Sequence, residues 1–167
     1  MDDDGSMRAV LAYCTEFPLV TFEPGQVMIA EGPPSGLMFV LVSGEIEVLR
    51  GTTQVADISE PGAIFGEIAA LLSGNHTATV RAVTTATVHR IDNARALLRG
   101  NNQIAFHVAA NLARRLTDAT SYLADMKRQF AHRSDHFGMI DEVLDTLVQR
   151  QRPATTAGPS TKSDSRL

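Results

Sequence analysis

Short apolar runs alternate with turn residues from Val20 to Asp92. The runs are rich in β-branched and aliphatic residues, and the gaps hold proline, whose φ is preset, or glycine, which accepts the positive φ of tight turns. The pattern predicts eight strands, at 19–22, 27–30, 38–42, 46–49, 54–58, 63–65, 78–83 and 87–91. Short strands with such regular turns indicate a sandwich or a jelly roll.

The pattern changes after Asp92, where alanine, leucine, arginine and glutamine, all good helix formers, become frequent. It predicts a short helix over 94–98 and a longer one after it, so the fold class is mainly β with C-terminal helices: an eight-stranded jelly roll followed by a long α-helix. The predicted parts are a tail with a short helix over 1–16, the roll over 17–92, the C-terminal helices over 93–151 and a tail over 152–167. That last tail is predicted to be disordered because it lacks apolar anchors.

A heptad pattern runs through the second half of the chain. Ten of its eleven positions are apolar: Leu112, Leu116, Ala119, Leu123, Met126, Phe130, Arg133, Phe137, Ile140, Leu144 and Leu147. A seam this long predicts helix pairing and a homodimer, through Leu112, Leu116, Leu123, Met126 and Phe130. Two alternatives stay open. The helix folds back on its own domain, or the seam breaks over 132–138, where Ser134-Asp135 could cap a new helix.

Composition and charge narrow the possible functions. The length of 167 residues suits one domain with length to spare. A net charge of -4 argues against nucleic acid as the main partner, because phosphate binding needs clustered Lys and Arg. The sequence predicts neither a signal peptide nor a membrane span. A lone cysteine, Cys14, favours a cytoplasmic location and is expected to be a small packed hydrophobe. We see no enzyme or metal motif.

The most informative stretch is 62–80, GAIFGEIAALLSGNHTATV. It predicts a strand, a glycine that lets the backbone come close to another group, and a helical turn whose first N–H groups suit an anion. Glu67 stands at the start of that turn, where its carboxylate could accept a hydrogen bond from a ribose hydroxyl. A strand returns from His76. A phosphorylated sugar fits donors that lie beside an acceptor.

This stretch resembles the phosphate-binding cassette of cyclic nucleotide-binding domains, whose pattern is Phe-Gly-Glu, a small apolar turn, Arg, Ser or Thr, and then Ala-Thr-Val. The resemblance extends upstream through spaced glycines at Gly25, Gly32, Gly44 and Gly62. Downstream, the sequence over 112–116 is similar to the central dimer helix of the catabolite-activator-like branch. Roughly residues 17 to 130 are covered, and the ordered series is specific.

The resemblance implies a ligand, cAMP or cGMP, and a role for each cassette residue. Glu67 would bind the ribose 2′-hydroxyl, backbone groups would face the sugar-phosphate, and Thr77 would donate to the phosphate. Thr120 falls near the purine-contacting hydroxyls of the family. For Glu67, the alternative is a carboxylate that only caps the following turn. The implied site consists of Phe65, Gly66, Glu67, Ile68, Ala69, His76, Thr77, Ala78 and Thr120.

His76 is the main departure from the family, which has arginine at this position. A guanidinium makes a charged, two-pronged contact with phosphate, whereas imidazole is mostly neutral at pH 7 if its pKa stays near about 6.5. Losing a charge-assisted hydrogen bond of roughly 1.5–3 kcal/mol predicts ten- to a hundredfold weaker binding. The alternative is a surface loop histidine in a domain without ligand. Arg81 is not a substitute, since its odd spacing from His76 sends it to the opposite face of the strand.

Three functions are therefore compared. The first is a stand-alone sensor, in which a cyclic nucleotide shifts the helices and changes a contact with a protein partner. The second is a ligand-free structural or interaction module. The third is a truncated transcription regulator, and only 36 residues follow Ala131, too few for a complete helix-turn-helix domain in addition to the predicted tail.

Overall fold

Two four-stranded antiparallel sheets form a jelly roll in the computed structural model, which describes residues 4–130 and 137–149. One sheet has the order β1 (Leu19–Phe22), β8 (Ala86–Ile91), β3 (Met38–Ser43) and β6 (Ile64–Phe65). The other has the order β2 (Val27–Ile29), β7 (Thr79–Ala82), β4 (Ile46–Arg50) and β5 (Thr53–Ile58). The predicted eight-stranded roll is confirmed, and no strand end differs from its predicted position by more than one residue.

Helices precede, interrupt and follow the roll. They are α1 (Asp4–Ala9), followed by a 3-10 turn over Val10–Tyr13, then α2 (Glu67–Leu72), α3 (Ala94–Gly100), α4 (Asn102–Gln129) and α5 (Phe137–Gln149). The predicted long helix after the roll is confirmed as α4. Its start is fixed by Asn101, whose side-chain oxygen accepts from the backbone N–H of Ile104 at 3.0 Å. None of the described helices has the length and apolar character that crossing a membrane requires.

The first sheet has a core on each face, although its edge strand β1 is partly exposed, and we call it the covered sheet. On β3, Phe39 and Leu41 pack into the core between the two sheets, while Met38 and Val40 pack on the opposite side, with residues from the N-terminal turn, α3 and the first half of α4. Burial on both faces explains why this strand is a continuous apolar run rather than an alternating one. Cys14 is a packed hydrophobe in the core on this opposite side of the covered sheet. Its burial, and secondarily the charge of Glu16, raise the pKa of its thiol to about 11.

The second sheet leaves its outer face toward water, and we call it the open sheet. Every residue of β5 except the last is exposed. Arg81 on β7 lies directly opposite Glu47 on β4, and its Nε is 2.7 Å from Glu47 Oε1. The predicted orientation of Arg81, away from the cassette, agrees with this pairing.

The chain divides into two compact units, Met1–Ala113 and Arg114–Leu167. Within the second unit, Lys127 of α4 and Asp141 of α5 form an ion pair. In one straight helix these residues would be about 21 Å apart, so α5 returns toward the end of α4 instead of prolonging it. Two helices on either side of 131–136 match the alternative in which the heptad seam breaks. Arg133, on that seam, and the predicted tail over 152–167 lie outside the described residues.

Candidate functional site

Gly66 makes the junction between β6 and α2. Its φ is 92° and its ψ is -7°, a left-handed conformation that favours glycine. A Cβ atom at this position would lie 2.5 Å from the carbonyl oxygen of Leu37 and 2.9 Å from Ile29 Cδ1. The close approach predicted for this glycine is therefore present, and the group it approaches is the backbone at the start of β3.

The residues on either side of Gly66 are buried and fix the start of α2. Phe65 stacks on Phe39 in the core, with ring centroids 5.6 Å apart. Glu67 is the first residue of α2 and is only 3% exposed. A buried carboxylate must be partnered, and among the described residues every buried side-chain nitrogen or oxygen has a hydrogen-bond partner. Ile68 is partly buried and Ala69 is buried. The ribose and capping roles of Glu67 both stay predictions.

His76 lies under the loop between β2 and β3. It is 6% exposed, and its backbone N–H and carbonyl pair with those of Gly32 at 2.8 and 3.0 Å. Its Nε2 atom lies 2.7 Å from Ser35 Oγ and accepts from the Ser35 backbone N–H at 3.2 Å. The alternative of a surface loop histidine is therefore wrong, because the loop over 32–36 covers the ring.

These contacts determine the protonation state of His76. A backbone N–H can only donate, so Nε2 must accept, and the imidazole proton resides on Nδ1. Ser35 Oγ itself accepts from the Leu37 N–H at 3.2 Å, which leaves its own proton to donate to Nε2. Burial lowers the pKa of His76 below its usual value. The position that carries arginine in the family is thus occupied by a neutral imidazole.

The loop over 32–38 brings the two halves of the cassette together. Gly66 packs on the backbone of Leu37 and Met38, and His76 is held by Ser35. Thr77 is exposed and Ala78 is partly buried as the chain enters β7. The entry is fixed by Thr79, whose hydroxyl accepts from the Glu31 N–H at 3.0 Å. Eight of the nine predicted site residues therefore lie on the two segments that this loop contacts, 65–69 and 76–78.

Thr120 belongs to the second compact unit. Its hydroxyl is directed to its own helix, where it is 2.9 Å from the carbonyl oxygens of both Leu116 and Thr117. Its predicted contact with a purine stays a prediction.

The side chains of the two segments that enclose the cassette carry a net negative charge, and Arg8 of α1 lies beside Gly62, the first residue of the cassette. The segments 30–37 and 62–78 contain no lysine or arginine, and their ionisable side chains are Glu31, Glu67 and His76. The Glu31 carboxylate accepts from the Gly51 N–H at 2.8 Å, and so is held by the turn between β4 and β5. From α3, Arg95 reaches the carbonyl of Ala70 on α2 at 3.4 Å. Across residues 4–130 and 137–149, no group of His, Cys, Asp and Glu side chains is placed to hold a metal ion.

Sequence analysis missed Ser35. It lies in Gly32-Pro33-Pro34-Ser35-Gly36, which has the composition of an ordinary turn, and it precedes His76 by 41 residues. No periodicity links positions so far apart, so the contact becomes visible only when the roll is closed.

Comparison with known proteins agrees with this geometry. Residues 19–98 match the family model of the cyclic nucleotide-binding domain. A CRP-like cAMP-activated global transcriptional regulator of Mycobacterium tuberculosis is 26% identical, over 71% of this chain and 55% of that protein. The potassium/sodium hyperpolarization-activated cyclic nucleotide-gated channel 2 of Mus musculus is 36% identical over 75 residues, which are 45% of this chain and 9% of the channel.

Solved structures show the same fold. The catabolite activator protein of Thermus thermophilus superimposes with a TM-score of 0.58 and 26% identity, over 71% of this chain and 58% of that one. This chain therefore spans little more than half the length of its bacterial relatives.

Proposed function

Since the chain carries a domain of the cyclic nucleotide-binding family, of the CRP-like type, we propose that it is a regulatory sensor that binds a cyclic nucleotide at the cassette over 62–78. The observation that carries the proposal is the cassette geometry inside the matched region: Gly66 in the left-handed conformation, followed by the buried Glu67 at the first position of α2. We place cAMP before cGMP because the mycobacterial relative is described as cAMP-activated.

The residues supply most of what such a ligand needs. Glu67 offers a carboxylate for a ribose hydroxyl, the backbone of Gly66, Ile68 and Ala69 offers N–H groups, and Thr77 offers an exposed hydroxyl. A neutral His76 supplies no fixed charge, so the affinity is ten- to a hundredfold below that of a site with arginine, the equivalent of roughly 1.5–3 kcal/mol.

Titration calorimetry with cAMP and with cGMP tests this function. Glu67→Gln should weaken binding by about tenfold or more, since it removes a charged acceptor. Glu47→Gln is the control, because it makes the same change at a partly buried carboxylate on the outer face of the open sheet, and it should leave affinity unchanged. Absence of both heat and thermal stabilisation with either nucleotide at millimolar concentration would contradict the proposal.

The same proposal includes a homodimer formed through α4. Leu116 and Phe130 are 47% and 44% exposed in the described chain, and Leu112, Leu123 and Met126 are partly buried. Light scattering at tens of micromolar should report a dimer, which Leu116→Asp dissociates. The control is Tyr122→Ser, which changes an apolar residue that is more exposed, at 65%, and lies off the seam. A monomeric wild-type protein would contradict the pairing.

A ligand-free interaction module is the second candidate, favoured by the hydrogen bonds that already engage His76. This candidate replaces the cyclic nucleotide sensor if calorimetry detects binding of neither nucleotide. In either case we propose a cytoplasmic, non-enzymatic protein that acts through a protein partner. The net charge of -4 supports a protein partner over nucleic acid, the partner that a transcription regulator would need.

A further inference from the structure

We infer that binding of an anionic ligand at the cassette takes up one proton at His76, and that Ser35 is the positioning residue that sets this dependence. The inference rests on the proposed function and names how the same site is regulated. The fraction of protein that carries ligand would then depend on pH as well as on the ligand concentration.

The first step is the charge that a phosphate would meet. Along the two segments that enclose the cassette, 30–37 and 62–78, the side chains carry two carboxylates and no fixed positive charge. Arg95, from the packed helix α3, contacts the carbonyl of Ala70 and therefore the later part of α2, not its start. Along these segments, only a protonated His76 can offset the charge of a phosphate.

The second step is the cost of that protonation. In this structure, His76 Nε2 accepts from both the backbone N–H and the hydroxyl of Ser35. A proton on Nε2 displaces both donors: the hydroxyl can turn round and accept, but the backbone N–H loses its acceptor. Ser35 therefore holds the ring neutral, in the same direction as its burial. An anion that binds beside the ring must reverse this preference.

The third step is the dependence on pH. The phosphodiester of a cyclic nucleotide keeps one charge near neutral pH, so the proton uptake belongs to the protein. When binding requires a protonated group whose pKa in the free protein lies below the pH, affinity falls about tenfold for each unit of pH. Between pH 6.5 and pH 8.5 the affinity of the wild-type protein should thus fall by about ten- to a hundredfold, toward the affinity of a site whose His76 stays neutral.

Calorimetry with cAMP, in two buffers of different ionisation enthalpy at the same pH, measures the proton directly. At pH 7.5 we expect uptake of close to one proton per ligand bound. Ser35→Ala removes the hydroxyl donor, so it should raise affinity at pH 8.5 by about tenfold or less and leave affinity at pH 5.5 little changed. Ser43→Ala, at the exposed end of β3, is the matched control and should behave as wild type.

The His76→Gln variant tests whether the charge of His76 matters, because glutamine is polar but cannot take up a proton. It is expected to bind cAMP without proton uptake, with the same low affinity from pH 5.5 to pH 8.5. An NMR titration of the His76 ring in the free protein should also show a higher pKa in Ser35→Ala than in wild type. This measurement checks the effect of Ser35 on His76 without any ligand.

The outcomes distinguish this inference from the function on which it rests. If the wild-type protein binds cAMP with no proton uptake and a flat pH profile, the inference is overturned and the proposed function stands. An unchanged His76 pKa in Ser35→Ala would also overturn it. If neither nucleotide binds at any pH, the proposed function itself fails.

Discussion

The two sheets of the roll are built from similar strands but differ in what surrounds them. The covered sheet has a core on each face, so all four residues of β3 from Met38 to Leu41 are buried. The open sheet has one core face and one face in water, where Glu47 meets Arg81 and β5 is exposed. The cassette connects them: it leaves the covered sheet at Phe65 and enters the open sheet at Thr79. The difference teaches that the two ends of the cassette differ in burial: it begins at β6, which contributes Ile64 and Phe65 to the two cores, and ends at a strand with one face in water.

The largest expected difference between the sheets is in stability. Phe39→Ala should lower the free energy of unfolding by about 3–5 kcal/mol, since Phe39 contacts both Phe65 and Phe22 in the inner core. Val55→Ala, on β5, where the side chain is 52% exposed, should change it by about 0.5 kcal/mol at most. Urea denaturation measures both. Equal losses would show that the open sheet contributes as much as the covered one.

A somewhat smaller effect is expected at the glycines that end strands of each sheet. Gly66→Ala should cost about 2–4 kcal/mol, because the new Cβ meets the Leu37 carbonyl and the conformation is left-handed. Gly51→Ala, in the β4–β5 turn, has a positive φ but nothing within 4 Å of its Cβ, so only the conformational cost of about 1 kcal/mol applies. Thermal unfolding compares the two, and a smaller loss at Gly66 than at Gly51 would refute the close packing of the junction.

The smallest effect is expected on the outer face of the open sheet. The Glu47–Arg81 pair is partly exposed, at 15% and 41%, so a double-mutant cycle with Glu47→Gln and Arg81→Gln should give a coupling of about 1 kcal/mol or less. Added salt should reduce it. A coupling well above that value would mean that this face is shielded from water.

The sequence predicts the parts of the fold that depend on neighbouring residues. β-branched runs and turn glycines locate all eight strands, and the order Phe65-Gly66-Glu67 locates the junction with α2. The alternative of an exposed His76 is wrong, because burial of a loop residue depends on the segment that packs over it. Ser35, Gly32 and the return of α5 toward α4 likewise depend on contacts between distant positions, which no local pattern encodes.

The pairing of Gly32 with His76 has a consequence for the order in which the protein is made. The two residues are 44 positions apart, and the strand that completes the covered sheet, β8, ends only at Ile91. During synthesis, a nascent chain that has just exposed Ser35 therefore has no histidine to hold, and the hydroxyl stays hydrated until the second half of the roll emerges. The candidate site cannot be complete until both partners of this pairing have emerged, so a chain arrested before β8 would carry the Phe-Gly-Glu sequence without the closed roll around it.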